Sequence, residues 1–405
     1  MSVQEKLAKY NQQHILQFKN QISKSQLNSL NEQILSLNFD VINNLNAVDE
    51  KQELNLQPLN TLSLSQIQKH KQEYSQIGQL ALKQGKVGVV LLAGGMGTRL
   101  GSDLPKGMYN IGETKNLYIF ECIFNSLKIA MQNAGTPIHM FIMTSPSNDQ
   151  ITREFLREHN YFGYSANHVS FFVQEVNPCV DFNGKILLEN KHTIATSPNG
   201  NGGWFASLLG DSTCLNVLQN SNIEWLNLIS VDNVLTSIAT PAFVGACILG
   251  NHDVGIKVIK KACAEEKVGL LCLKNNRPSI VEYIDLPHEL AIKKDANGNL
   301  LLAYGAIINF LYNIKFLYNV KSKKLPIHVV AKKIPHINQN GQKVEPNEPN
   351  GYKFEYLNVD LVEFASSCLP YEIDRNKEFA PVKNRTGVDS VETAKQLLKQ
   401  NGIVL

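Results

Sequence analysis

The sequence has few of the features that would build a disulfide frame, a structural zinc site or a membrane span. It carries seven cysteines, an odd number, scattered along the chain with no CxxC pair among them. That pattern argues against disulfides and zinc, and for small buried hydrophobic residues in a reducing compartment. No uninterrupted apolar stretch is long enough to cross a bilayer. No long apolar run follows Met1 either, so no signal peptide is expected, and the cytoplasm is the expected location. An excess of one charge is missing as well: the formal net charge is +3, whereas nucleic-acid binders carry a dense basic face. A local basic site for a small phosphate ligand stays open. There is no internal repeat and no low-complexity tract.

What is present is a globular composition, 43% hydrophobic and 19% charged over 405 residues. That length exceeds one ordinary core, and the character of the chain divides it into three spans. Residues 1–84 read as an N-terminal helical segment, with Leu27, Leu30, Ile34 and Leu37 at helical spacing and His14, Ile15 and Phe18 in an earlier piece of the same kind. Residues 85–325 alternate strands and helices. The β-branched run Val87 to Leu92 opens this span, followed by apolar runs at 138–143, 169–173, 226–231 and 254–259, with helical segments at 117–131 and 151–158 between them. Such alternation implies an α/β fold, a doubly wound and mainly parallel sheet with helices on both faces. Val268 to Ile284 departs from it: two apolar runs flank Asn275-Asn276, so a hairpin is expected. Residues 326–405 form a small C-terminal domain, in which 334–351 reads as an exposed loop and 390–400 as a helix with Ser390 as N-cap and Gly402 just beyond its end.

The strongest chemical signal follows the first strand: Leu92-Ala93-Gly94-Gly95-Met96-Gly97-Thr98-Arg99-Leu100-Gly101, then Pro105-Lys106-Gly107-Met108. Ligands of open α/β sheets bind at the carboxyl ends of strands, which is where this block lies. Glycines let the main chain approach phosphate oxygens with its N–H groups, and Arg99 and Lys106 add fixed positive charge. A P-loop would need GxxxxGK[ST], which is lacking. A dinucleotide fingerprint would need a third glycine where Leu100 stands.

The block resembles the signature of the UDP-sugar pyrophosphorylases, most of all the eukaryotic UDP-N-acetylglucosamine pyrophosphorylases, at every fixed position of L-A-G-G-x-G-T-R-L-G and P-K-G-M. Further blocks agree, in family order: His14 to Phe18, Asn199-Gly200-Asn201-Gly202-Gly203, Val231-Asp232-Asn233, Val281-Glu282-Tyr283, and Phe379 to Asn384. The likeness covers nearly the whole chain. It implies a Rossmann-like nucleotide-diphospho-sugar transferase fold and the roles that go with it. Leu92, Ala93, Gly94 and Gly95 would hold uridine and its phosphates, and Gln174 would read the uracil edge, since an amide both donates and accepts. Gly200 and Asn201 would touch the base and an acetamido group. Asp232 would help hold Mg²⁺, which favours hard oxygen ligands. Gly269, Glu282 and Asn309 would contact the sugar, and Lys383 would reach the phosphates. Two departures fall near the sugar: Ala306 stands where the family often has Asn, and Leu357 and Val359 stand where aromatic residues are common.

The reaction so implied is attack of a sugar 1-phosphate oxygen on the α-phosphorus of UTP, with pyrophosphate leaving in line. N-acetylglucosamine 1-phosphate is the favoured sugar, and UDP-N-acetylglucosamine the product. The attacking oxygen is already ionised, so positioning and charge neutralisation carry the catalysis. Arg99 and Lys106 would stabilise the leaving group, and Mg²⁺ on Asp232 together with Lys383 would offset charge at the α-phosphate. The alternatives are a UDP-glucose or broad-range enzyme, a glycosyltransferase and a non-catalytic binding subunit. A glycosyltransferase typically carries a DxD motif, whereas Asp232 is followed by Asn233 and Val234; a binding subunit would be expected to lose Arg99, Lys106 or Asp232. No nucleic acid, membrane or obligate protein partner is expected.

Overall fold

Every residue of the run Val87–Leu92 is buried, so both of its faces must be covered, and a central strand is the structure that achieves this. A computed structural model describes residues 1–46 and 55–405. The chain forms two units: Met1–Glu53, Gln174–Gly203 and Lys324–Asn358 make one, and Leu54–Val173, Trp204–Lys323 and Val359–Leu405 make the other.

The larger unit is built on a ten-stranded sheet. Its strands are β1 (Leu56–Pro58), β2 (Val87–Leu92), β3 (Met140–Thr144), β4 (Val169–Val173), β5 (Trp225–Ser230), β6 (Val254–Lys260), β7 (Leu270–Lys274), β8 (Arg277–Val281), β9 (Tyr304–Asn313) and β10 (Cys368–Glu372). The order is β1-β7-β9-β5-β2-β3-β4, with β6 pairing β9 and β10, and β8 pairing β7. The run β5-β2-β3-β4 is parallel, as strand–helix alternation requires, and β6 and β10 also pair in parallel. The long β9 runs antiparallel to β5, β6 and β7, making the sheet mixed. The expected hairpin is β7–β8. Its turn residues Asn275 and Asn276 have φ of 51° and 63°, a left-handed pair that suits a two-residue hairpin turn and that asparagine tolerates.

Helix α1 (Leu64–Lys83) crosses α3 (Pro241–Leu249) at Gly78 and Gly245; a Cβ on Gly78 would lie 1.9 Å from the Pro241 carbonyl oxygen. Helix α2 (Ile119–Ala134) ends on Gly135 at φ 70°, the left-handed cap a helix C-terminus favours. It buries Phe120, Phe124 and Leu127 with Val89, Leu91 and Ile142 of the sheet. The last helix, α4 (Val391–Gln400), starts at Ser390, whose hydroxyl accepts from the Thr393 N–H as expected.

The smaller unit has its own core, in which Leu30, Ile34 and Phe39 from the N-terminal helices pack with Val180, Ile186, Ile194 and Phe354. The boundaries therefore differ from the three consecutive spans read from sequence. The N-terminal helical stripe is covered by the two later segments, whereas α1 and residues 359–405 belong to the sheet-bearing unit. The segment 334–351 is tied down by a short ladder, His336–Ile337 against Lys343–Val344.

Candidate active site

At the carboxyl end of β2 the chain leaves the sheet as a loop that is anchored before it is open. Ala93 N–H donates to the Met143 carbonyl of β3 (2.8 Å), and the Ala93 carbonyl accepts from Asn148 Nδ2 (3.0 Å). Asn148 is itself fixed, its Oδ1 accepting from the Ser145 N–H at 2.8 Å. Beyond Ala93 the main chain emerges: Gly94 is half-buried and Gly95 exposed. A Cβ on Gly95 would meet nothing within 4 Å, so nothing inside the protein requires glycine there, and the residue is exposed to solvent. Gly97 and Gly107 are different, since side chains at both would crowd the fold.

The loop closes on itself through Gly97 N–H to the Leu104 carbonyl (2.8 Å) and Lys106 N–H to the Gly95 carbonyl (3.1 Å). This brings Lys106 back beside Gly95. Lys106 Nζ lies 2.7 Å from Asp232 Oδ1, with 12% and 35% of the two side chains exposed. The sequence reading gave the two residues separate roles, and the structure places them in one ion pair. Arg99 is exposed on the same loop and has no hydrogen-bond or ion-pair partner among the described residues.

Asp232 follows β5 and is clamped by the C-terminal block. Its carbonyl accepts from the Val382 N–H (2.8 Å). Asn233 Oδ1 accepts from the Ala380 N–H (2.8 Å), while its Nδ2 donates to the Glu378 carbonyl (2.7 Å). Lys383 is thereby brought beside the loop, where its Nζ bonds Asp389 Oδ2 at 2.9 Å. Arg385, which the sequence reading missed, stands with Nη1 3.7 Å from the place a Cβ on Gly101 would take. The only sequence signal for it is its position two residues after Lys383.

Gly269 and Glu282 meet across the β7–β8 hairpin, Glu282 Oε1 lying 3.4 Å from a Cβ position on Gly269. Asn309 is 1% exposed. Its Oδ1 accepts from Asn227 Nδ2 (2.8 Å), and its Nδ2 donates to Thr236 Oγ1 (3.1 Å) and the Ser237 carbonyl (3.1 Å). Both amide N–H groups are used within the fold, between Ile307 and Leu311 of the same core, so Asn309 is the hub of an internal polar network.

In the smaller unit, Gln174 is buried, and the second glycine loop is shaped by residues 356–358. Gly202 N–H donates to the Tyr356 carbonyl (2.8 Å), Tyr356 N–H to the Asn199 carbonyl (2.7 Å), and Asn358 N–H to Asn201 Oδ1 (2.9 Å). Gly200 has φ 86°, and a Cβ there would lie 2.3 Å from the Tyr356 carbonyl oxygen, so both conformation and space require glycine.

A glycine loop rimmed by cations, at the carboxyl edge of a doubly wound α/β sheet, defines a nucleotide-phosphate-binding protein. The profile of the UTP–glucose-1-phosphate uridylyltransferase family matches residues 29–401, and the chain belongs to that family. It is 37% identical over 339 residues to the human UDP-N-acetylhexosamine pyrophosphorylase-like protein 1, covering 81% of this chain and 67% of that protein. It is 35% identical to the UDP-N-acetylglucosamine pyrophosphorylase of Saccharomyces cerevisiae, covering 84% of this chain and 74% of the yeast protein. The crystal structure of the uridine diphosphate N-acetylglucosamine pyrophosphorylase of Trypanosoma brucei superposes with a TM-score of 0.82 at 27% identity, over 98% of this chain and 84% of that one. The matched stretch thus spans about two thirds of the length of the human relative.

Proposed function

We propose that the protein transfers the uridylyl group of UTP to a sugar 1-phosphate, releasing pyrophosphate, with N-acetylglucosamine 1-phosphate as its sugar substrate. The observation that carries this reading is the solvent-facing Gly94–Gly95 loop, tied through the Gly95 carbonyl to Lys106 and so to the Lys106–Asp232 pair, in a chain related to enzymes named for that product. Exposed Arg99 meets the leaving pyrophosphate. Lys106 turns from Asp232 towards the phosphates when they arrive, because a polyphosphate offers it more negative charge than one carboxylate. Lys383 exchanges Asp389 for the α-phosphate region in the same way. Arg385 adds charge at the rim. Gln174 reads the uracil edge, Gly200 and Asn201 serve the base and the acetamido group, and Gly269 and Glu282 hold sugar hydroxyls.

Among the described residues no group of three or more His, Cys, Asp or Glu could cage a metal ion. A single carboxylate suits Mg²⁺, which keeps waters and shares itself between one or two carboxylates and substrate phosphates. Asp232 would hold it, and the ion would supply charge neutralisation at the phosphates. Asn309 holds β9 against β5 and acts on the sugar site through that framework.

No helix among the described residues is long and apolar enough to cross a membrane, and all seven cysteines are free thiols. A reducing, cytoplasmic setting fits them. Incubation with UTP, Mg²⁺ and N-acetylglucosamine, N-acetylgalactosamine or glucose 1-phosphate, read as pyrophosphate release, tests the proposal. Fastest release with the first is expected, and no release with any of the three would overturn it.

A further inference from the structure

Lys257 sits at the centre of β6 with none of its side chain exposed. An ammonium so placed is costly unless it is paired and hydrogen-bonded. It is both: Nζ lies 2.5 Å from Glu378 Oε2 and donates to the Ser237 carbonyl at 2.9 Å, while the Phe243 ring centroid lies 5.6 Å away. The pairing of β6 with β9 shifts register between Ile256 and Val258, so Lys257 stands at a bulge. A bulge re-aims a side chain and ends regular pairing, a device found next to active sites.

One partner of Lys257, Glu378, leads to the catalytic residues. Glu378 passes the contact on through its main chain: its carbonyl accepts from Asn233 Nδ2, whose Oδ1 in turn takes the Ala380 N–H. Val234 N–H donates to the Ala380 carbonyl (3.2 Å) and Val382 N–H to the Asp232 carbonyl (2.8 Å). Asp232 and Lys383 are the residues at the two ends of that clamp. The Ser237 carbonyl, on the other side, is shared with Asn309.

We infer that Lys257 is a positioning residue for uridylyl transfer: through Glu378 it fixes the strand-end clamp that sets Asp232 against Lys383. An apolar residue of similar length would fill the space without directing Glu378. Burial of charge here thus serves geometry rather than stability, since hydrophobic replacements of buried ion pairs are often as stable. The inference rests on the proposed uridylyl transfer.

The test uses the full chain and the variants Lys257→Met, Lys257→Arg, Glu378→Gln and the double variant Lys257→Met/Glu378→Met. Pyrophosphate release gives kcat, the KM for UTP and the Mg²⁺ concentration for half-maximal rate; thermal melting gives stability. Displacing a catalytic group by about 1 Å costs roughly a hundredfold in rate, so a loss of that order in kcat is expected for Lys257→Met. The KM for UTP should stay near the wild-type value, and the Mg²⁺ requirement should rise. The double variant should regain melting temperature but not kcat, and Lys257→Arg should recover part of the rate. Glu378→Gln keeps the shape and carries the same expectation if Lys257→Met fails to fold. A double variant with wild-type kcat, or a Glu378→Gln enzyme unchanged in kcat and Mg²⁺ dependence, overturns the inference. An inactive wild-type protein would instead overturn the uridylyl-transfer reading, so the two failures are distinct.

Discussion

Replacing Gly107 with alanine tests whether the loop that carries Lys106 is held by packing. The new Cβ would lie 2.3 Å from Cε2 and Cζ of Phe120 and 2.5 Å from Cε1. Carbon atoms rest about 3.5–4.0 Å apart, so more than 1 Å of overlap must be relieved. Phe120 cannot simply step aside: it is fully buried, and its ring stands 6.2 Å from that of Phe155. Overpacking of this kind costs about 1–3 kcal/mol, and the size of the overlap places this case at the upper end. At about 2–4 °C per kcal/mol for a unit of this size, melting should fall by roughly 5–10 °C. Relief comes most easily by moving the less deeply buried side of the contact, the 105–108 turn, in which Lys106 and Met108 are half-buried, and with it Lys106. A shift near 1 Å should cost about a hundredfold in turnover. Differential scanning fluorimetry and pyrophosphate release measure the two effects. Adding Phe120→Leu should recover part of both, because it removes the ring atoms concerned. Gly107→Ala melting within about 1 °C of wild type with full turnover would refute the reasoning.

Arg99→Ala should leave melting unchanged, because the side chain is exposed and unpaired, yet lower kcat roughly a hundredfold or more; near-normal turnover would remove Arg99 from the pyrophosphate site. Asn309→Leu should destabilise the protein by about 1–3 kcal/mol or more, since Asn227 Nδ2 and the Thr236 and Ser237 oxygens lose a partner; unchanged denaturant melting would contradict the network. His139 has its pKa lowered to about 4 from 6.5, chiefly by burial and then by His168. Its neutral form is held in the folded state, so the unfolded chain binds the extra proton. Stability should fall as pH drops from 6.5 towards 4 and be insensitive to this group above 6.5. His139→Gln should flatten that slope in urea titrations across this window, and an unaltered slope would count against it.

Much of the glycine-loop architecture was legible because it is written in consecutive residues. The buried run before Ala93 reads as a central strand, and the glycines after it as open main chain, in sequence as in structure. The hairpin at Asn275-Asn276 and the capping at Ser390 are equally local, and both were readable. What was not readable is what distant segments do to one another. Lys106 and Asp232 are 126 positions apart, and no spacing rule pairs them. The antiparallel course of β9 depends on which edge β5 leaves free. The family resemblance alone assigns Asn309 to the sugar, and no local pattern foretells that its amide bonds Asn227, Thr236 and Ser237. The smaller unit was split among the expected spans because its core is gathered from three separate stretches.

That gathering affects the order in which the protein can be made. Leu30, Ile34 and Phe39 emerge from the ribosome early, yet one of their packing partners, Phe354, is made some three hundred residues later. At about 5–20 residues per second the wait is roughly 15–60 s. For about the first half of it, until Val180, Ile186 and Ile194 are made, the N-terminal helices must keep an oily stripe soluble by themselves. Their polar background of Gln, Asn and Ser is suited to that interval, and chaperone demand should be highest just before the last stretch of that core leaves the exit tunnel.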